Sequence, residues 1–111
     1  MAEVHLNIPD QRVSEGSYFV ATAYFRSSGA GTTPTSARYR VDCLTTGEAV
    51  TAWTSITPGE TASLTIGPNT MKDDSNRNER KQITVEADTG LTTQTRTARA
   101  YQVINNLAFD D

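Results

Sequence analysis

The feature that most constrains the fold is a side-chain alternation with a period of two residues, repeated along the chain. In SARYRVDCL, Ser36–Leu44, the residues Ala37, Tyr39, Val41 and Cys43 share one parity, and Arg38, Arg40 and Asp42 the other. Successive side chains of a strand point to opposite faces, so this stretch reads as a strand with one face on a core and one in water. EVHLNIP reads the same way, with Val4, Leu6 and Ile8 inward and Pro9 ending the strand. TASLTI turns Ala62, Leu64 and Ile66 to one face, and KQITVEAD turns Ile83, Val85 and Ala87 inward. YFVATAYFR, Tyr18–Arg26, is apolar or small on both parities, which predicts a central strand with most of both faces covered. AVTAWTSI offers Val50 and Trp53 as core anchors. The parity of TQTRTARAYQVI stays open. Tyr101 and Val103 argue for one face and Ala98, Ala100 and Ile104 for the other, a conflict that a β-bulge near Ala100 would reconcile.

Turn signals separate these runs at SEGS, TTGE, TPGE and TGLT, and SSGAGTTPT reads as a loop. GPNTMKDDSNRNER, Gly67–Arg80, reads as a long polar connection, and no segment carries a sustained helical period. Roughly one residue in six is threonine, a bias toward strands. The expectation is an all-β chain: a single antiparallel β-sandwich of about seven strands at 8–12-residue spacing. A length of 111 residues fits one domain with one modest core. The domain is expected to span residues 1–104, with NNLAFDD, 105–111, as a short acidic tail.

The net charge is −3 and the charges are interspersed. With no basic patch of nucleic-acid type, nucleic acid is not an expected partner. No apolar run has the length of a membrane span, so no membrane partner is expected either. MAEVHLNIPD lacks the basic and apolar regions of a signal peptide, which points to a protein made in a cytoplasm and kept there or built into something larger. The single cysteine, Cys43, allows no intrachain disulfide.

Few residues suggest chemistry. His5 is the only histidine, sits at the outward parity of its strand and has no nucleophile signature near it. Cys43 closes an inward stripe of Ala37, Tyr39 and Val41, an apolar setting that suits a small buried hydrophobe better than a reactive thiol. Asp74, Asn76 and Asn78 have the first spacings of a calcium loop, but Glu79 stands where glycine is needed and Val85 where a bidentate glutamate is needed. The segment therefore reads as a solvated loop. No catalytic residue, cofactor or metal site is expected. Arg38 and Arg40, with Arg96 and Arg99, can form a basic face across neighbouring strands, with Asp42 and Glu86 to pair with them.

EGSYFVATAYFR, PTSARYRVDCLTTGEAVTAWTSITPG and RKQITVEADTG together resemble the small immunoglobulin-like or fibronectin-III-like β-sandwich structural proteins of tailed phages and related prophage particles. Trp53 after a cysteine-bearing strand is similar to the packing centre of immunoglobulin domains, although Ile83 and Val85 stand where the second cysteine would be. The resemblance covers most of Met1–Ile104. It implies a non-enzymatic virion protein, a capsid decoration or head/tail accessory protein assembled in the bacterial cytoplasm. Its partners would be other virion proteins, major capsid or tail proteins, with a homo-oligomer possible in the same array. A carbohydrate-binding or adhesin module is the alternative, with Tyr18, Tyr24 and Trp53 as candidate exposed aromatics. Contacts are expected from loops and sheet faces. The candidates are Ser27–Thr35, the stronger segment Gly67–Arg80 with Met71, Lys72, Asp73, Asp74, Arg77, Glu79 and Arg80, and the face bearing Arg38 and Arg40.

Overall fold

The computed structural model describes residues 2–8, 12–14, 16–27, 30–31, 33–57, 59–67, 72–73, 75–88 and 95–105. The elements are all strands: β1 (Ala2–Asn7), β2 (Arg12–Ser14), β3 (Phe19–Ser27), β4 (Ala30–Gly31), β5 (Ser36–Cys43), β6 (Ala49–Ile56), β7 (Thr61–Ile66), β8 (Asn78–Asp88) and β9 (Thr95–Asn105). The seven predicted strands are present. The two additional ones, β2 and β4, are three and two residues long, too short to show a period of two.

The strands form two sheets. In the smaller, β3 pairs with β1 along one edge, and with β7 and then β4 along the other. The larger has the order β2-β9-β8-β5-β6, antiparallel throughout except for β2, which runs parallel to β9. This arrangement is an immunoglobulin-like sandwich. One apolar cluster lies between the sheets. Phe19, Ala21, Ala23, Phe25, Leu64 and Ile66 come from the smaller sheet, and Ala37, Val41, Ile56, Ile83, Val85 and Ala87 from the larger. Val4, Leu6, Ile8, Tyr39, Val50 and Ala62 pack against it half-buried. The stripe in β5 thus faces the core, as its alternation requires.

Four expectations are corrected. β3 is central within its sheet but covered on one face only: Val20 is 50% exposed. Only three strands and a short extension make up that sheet, and its outer parity meets solvent. Trp53 lies outside the core: it is three residues from both Ile56 and Val50, which face the core, and the Ala37↔Ile56 to Tyr39↔Thr54 register sets it opposite outward Arg40. No bulge interrupts β9: its ladder with β8 is continuous from Asn78↔Asn105 to Asp88↔Thr95. Gln102 and Ile104 are therefore inward, at 1% and 0% exposure, and Tyr101 outward. Last, β8 starts at Asn78, within the segment read as a connection, so Glu79 and Lys81 extend its inward row below Ile83.

The turn after β5 has the predicted chemistry. Gly47 takes φ +79°, its N–H donates to the Cys43 carbonyl at 2.8 Å, and the Cys43 N–H donates to the Glu48 carbonyl at 2.8 Å. Cys43 itself is 1% exposed. Its thiol should react with a maleimide only after unfolding, and Cys43→Ser should lower stability by about 1–2 kcal/mol in urea titrations. Rapid labelling of the native protein is the contrary outcome.

Candidate functional site

The outer face of the five-stranded sheet carries the densest group of functional side chains. Register sets its rows: Arg38 lies across from Glu86, Arg40 across from Thr84 and then Arg99, and Asp42 across from Gln82 and then Tyr101. Arg38 donates through Nε and Nη2 to Glu86 Oε1, at 3.0 and 2.8 Å. Arg40 donates the same way to Asp42 Oδ1, two residues along its own strand, at 3.1 and 2.7 Å. Between them lies Trp53, with the Arg38 guanidinium carbon 4.0 Å from the ring centroid and that of Arg40 at 5.5 Å. Further along the face, Arg80 lies 4.8 Å from the Tyr101 ring. Thr84 is buried beneath this group at 7% exposure.

These contacts contribute little to stability. The Arg38 and Glu86 side chains are 48% and 27% exposed, and pairs this open to solvent are worth about 0–1 kcal/mol. Their effect is to hold the arginines in place. A guanidinium anchored by a carboxylate and lying over a ring still has donors free to engage a partner.

A second arrangement lies where β8 begins. The Glu79 carboxylate, 0% exposed, accepts four hydrogen bonds: from the Lys72 N–H at 2.7 Å, the Asp73 N–H at 2.9 Å, Asn76 Nδ2 at 3.1 Å and Lys81 Nζ at 3.0 Å. Lys81 is 2% exposed. Burial pushes the Glu79 pKa up, but the bonds from Lys72, Lys81, Asn76 and Asp73 outweigh it, and the value falls from 4.5 to about 2. Asp73 stabilises the turn beyond, accepting from the Ser75 N–H at 2.9 Å and Ser75 Oγ at 2.6 Å, bonds that lower its own pKa. Arg80 adds a tie to the neighbouring turn: its N–H donates to Thr45 Oγ1 at 2.9 Å, and its carbonyl accepts from the Leu44 N–H at 2.8 Å.

The predicted contact residues therefore fall in different places. Arg38, Arg40 and Arg80 share the outer sheet face. Lys72, Asp73 and Arg77 are exposed on the segment before β8. Met71 and Asp74 lie outside the described residues, as does the side chain of Arg96. Glu79 is withdrawn from the contact surface, because it is the buried anchor of that segment. Trp53, expected in the core and exposed only under the carbohydrate-binding alternative, joins the face, and so does Tyr101, which was not expected there. Tyr101 follows from the even-inward parity of β9, which Gln102 obscures by being polar and buried. His5 is exposed on β1. Among the described residues, no three His, Cys, Asp or Glu side chains are grouped to hold a metal ion.

No protein-family model matches the chain, and no curated protein matches it. Among solved structures it is similar to the CARDB domain of a Pyrococcus furiosus protein, crystallised in complex with di-metal ions. The identity is 16%, the TM-score 0.47, and the match covers 94% of this chain and 92% of the other.

The buried pair generates a prediction with a defined sign. Glu79 is held ionised in the folded state, so its contribution is full above its unfolded pKa of 4.5 and is lost as pH falls toward 2. Acid unfolding of the wild type should be steep in that window. Glu79→Gln should flatten it, with the stability already lost at neutral pH. Glu79→Ala, which leaves the Lys81 ammonium buried without its carboxylate, should cost about 3–5 kcal/mol by urea denaturation.

Proposed function

We propose that this chain is a non-enzymatic assembly module of a phage or phage-like particle, a capsid decoration or head/tail accessory protein. It docks through the outer face of its five-stranded sheet onto an acidic surface of another virion protein. The observation that carries the docking face is the Arg38–Trp53–Arg40 stack. Trp, Tyr and Arg are the side chains in which binding energy concentrates at protein interfaces. Here they are ordered in advance by Glu86 and Asp42, which reduces the entropy lost on binding. Arg38, Arg40, Arg80 and Arg99 outnumber the carboxylates Asp42, Glu86 and Asp88 on this face, although the chain as a whole carries −3. The phage setting rests on the likeness of the strand and turn sequences to those particle proteins. In an array, many copies of a modest contact add up to firm attachment.

One observation favours the carbohydrate-binding alternative: Trp53 lies outside the core, and Tyr18 and Tyr101 are 59% and 43% exposed. Against it, the Arg38 guanidinium already covers the Trp53 ring at 4.0 Å, where a sugar would stack.

Co-assembly with the capsid and tail proteins from neighbouring genes separates the two. Arg38→Glu with Arg40→Glu should abolish incorporation while leaving the circular dichroism spectrum and melting temperature near wild type. Wild-type attachment should weaken as salt rises to several hundred millimolar, where the screening length drops to about 3–5 Å. Undiminished incorporation of the double variant, or a specific signal on a glycan array, would remove the reading.

A further inference from the structure

Among the described residues, β9 is the outermost strand of the larger sheet over most of its length. β2 pairs with it only at Val103, Ile104 and Asn105. Among the described residues, no strand pairs with the same edge between Thr95 and Gln102. Such an edge presents backbone N–H and C=O groups ready to pair with another chain. Beside it lies an open groove of about 780 Å³, walled on one side by Leu6 and Ile8 and on the other by β9. Leu6 and Ile8 pack on the core yet stay half-buried, as does Ala100, which also lines the groove. Arg80 and Arg99 line it from the outer side, both exposed and neither with a carboxylate partner among the described residues.

We propose that the edge of β9 accepts an extended segment of a partner protein as a sixth strand, apolar at one parity and acidic at the other. The period of two sorts the two chemistries. Inward side chains of the added strand cover Leu6, Ile8 and Ala100, and outward ones meet Arg99 and Arg80. Main-chain pairing supplies affinity independent of sequence, and the alternating contacts supply the selection. This site differs from the Arg38–Trp53 stack, which lies across the sheet near β6, and the two can be tested apart.

The probe is a synthetic peptide of about ten residues alternating valine and glutamate, long enough to span the open edge. It is added to the full chain and followed by amide chemical shifts and hydrogen exchange. Protection should appear at β9 amides between Thr97 and Gln102, and a valine–lysine peptide should bind at least about tenfold more weakly. Ala100→Trp, which fills the groove, should remove binding. Arg99→Glu, at an exposed position that folding tolerates, should reverse the preference between the two peptides. Arg38→Glu should change nothing. Unaltered β9 exchange at saturating peptide would overturn the proposal, and so would equal binding of the two peptides. Shifts confined to residues around Trp53 would also overturn it, placing the acidic peptide on the sheet face.

Discussion

Contact between the inner faces of the two sheets is the interaction on which the rest of the molecule depends. Each strand contributes one parity to it, and most of that parity is given to apolar packing. Ala21 and Ala23 are fully buried beside Phe25, while Ile83 and Val85 are fully buried in the opposite sheet. Alternating small and large side chains allow the layers to interdigitate at the density of a protein interior. Because these side chains drive the association of the sheets, the outward parity is released from any packing duty, and β5 and β8 can place arginines and carboxylates there at little cost to the fold. At the end of the core where β8 begins, the apolar layer gives way to Glu79, Lys81 and Gln102, all buried. No buried side-chain nitrogen or oxygen among the described residues is left without a hydrogen-bond partner. The layer is therefore closed by a neutralised polar floor, one that also anchors the segment leading into β8.

The two charged groups of the molecule do opposite things. Glu79 and Lys81 are withdrawn from water and satisfied internally, so their bonds set geometry and are insulated from salt. Arg38 and Arg40 are half in water and satisfied only in part, so their bonds contribute little to folding but fix the orientation of an exposed cationic surface. A buried pair that fixes a local conformation and an open pair that presents charge to a partner are different uses of the same chemistry, separated by a few residues along β8.

Much of the architecture was legible because a period of two is hard to mistake where one face is cleanly apolar. Ala37–Cys43, Ala62–Ile66 and Ile83–Ala87 each lie in the structure as their alternation requires. The reading failed where side-chain chemistry and burial part company. Val20 and Tyr18 are apolar or aromatic yet face water, because the smaller sheet has too few strands to carry a further layer. Trp53 was placed in the core by its size. Its odd spacing from Ile56 and Val50, both on the core side, turns it outward, where stacked guanidinium groups shield it in place of apolar neighbours. Glu79, in a polar run, carried no local sign of burial. The signal was its spacing: it continues the odd-numbered row of Val85 and Ile83 by two steps, through an equally buried Lys81. The arginine face was visible as candidate residues, whereas its aromatic members were masked: Trp53 by its size, and Tyr101 by a polar Gln102 on the buried parity of β9.

The parallel pairing of β2 with β9 has a mechanical consequence. β2, the second strand from the N-terminal side, and β9, the last, lie side by side and run in the same direction. A tension that drew the ends apart would load the β1–β3 pairing first; once that had parted, it would pull β2 backward along its axis and β9 forward along the same line. The ladder between them would be loaded in shear, all its hydrogen bonds sharing the force at once, and not peeled open one bond at a time. Rupture of a sheared ladder requires its bonds to fail together, so even a three-residue pairing placed this way acts as a clamp on the fold under load.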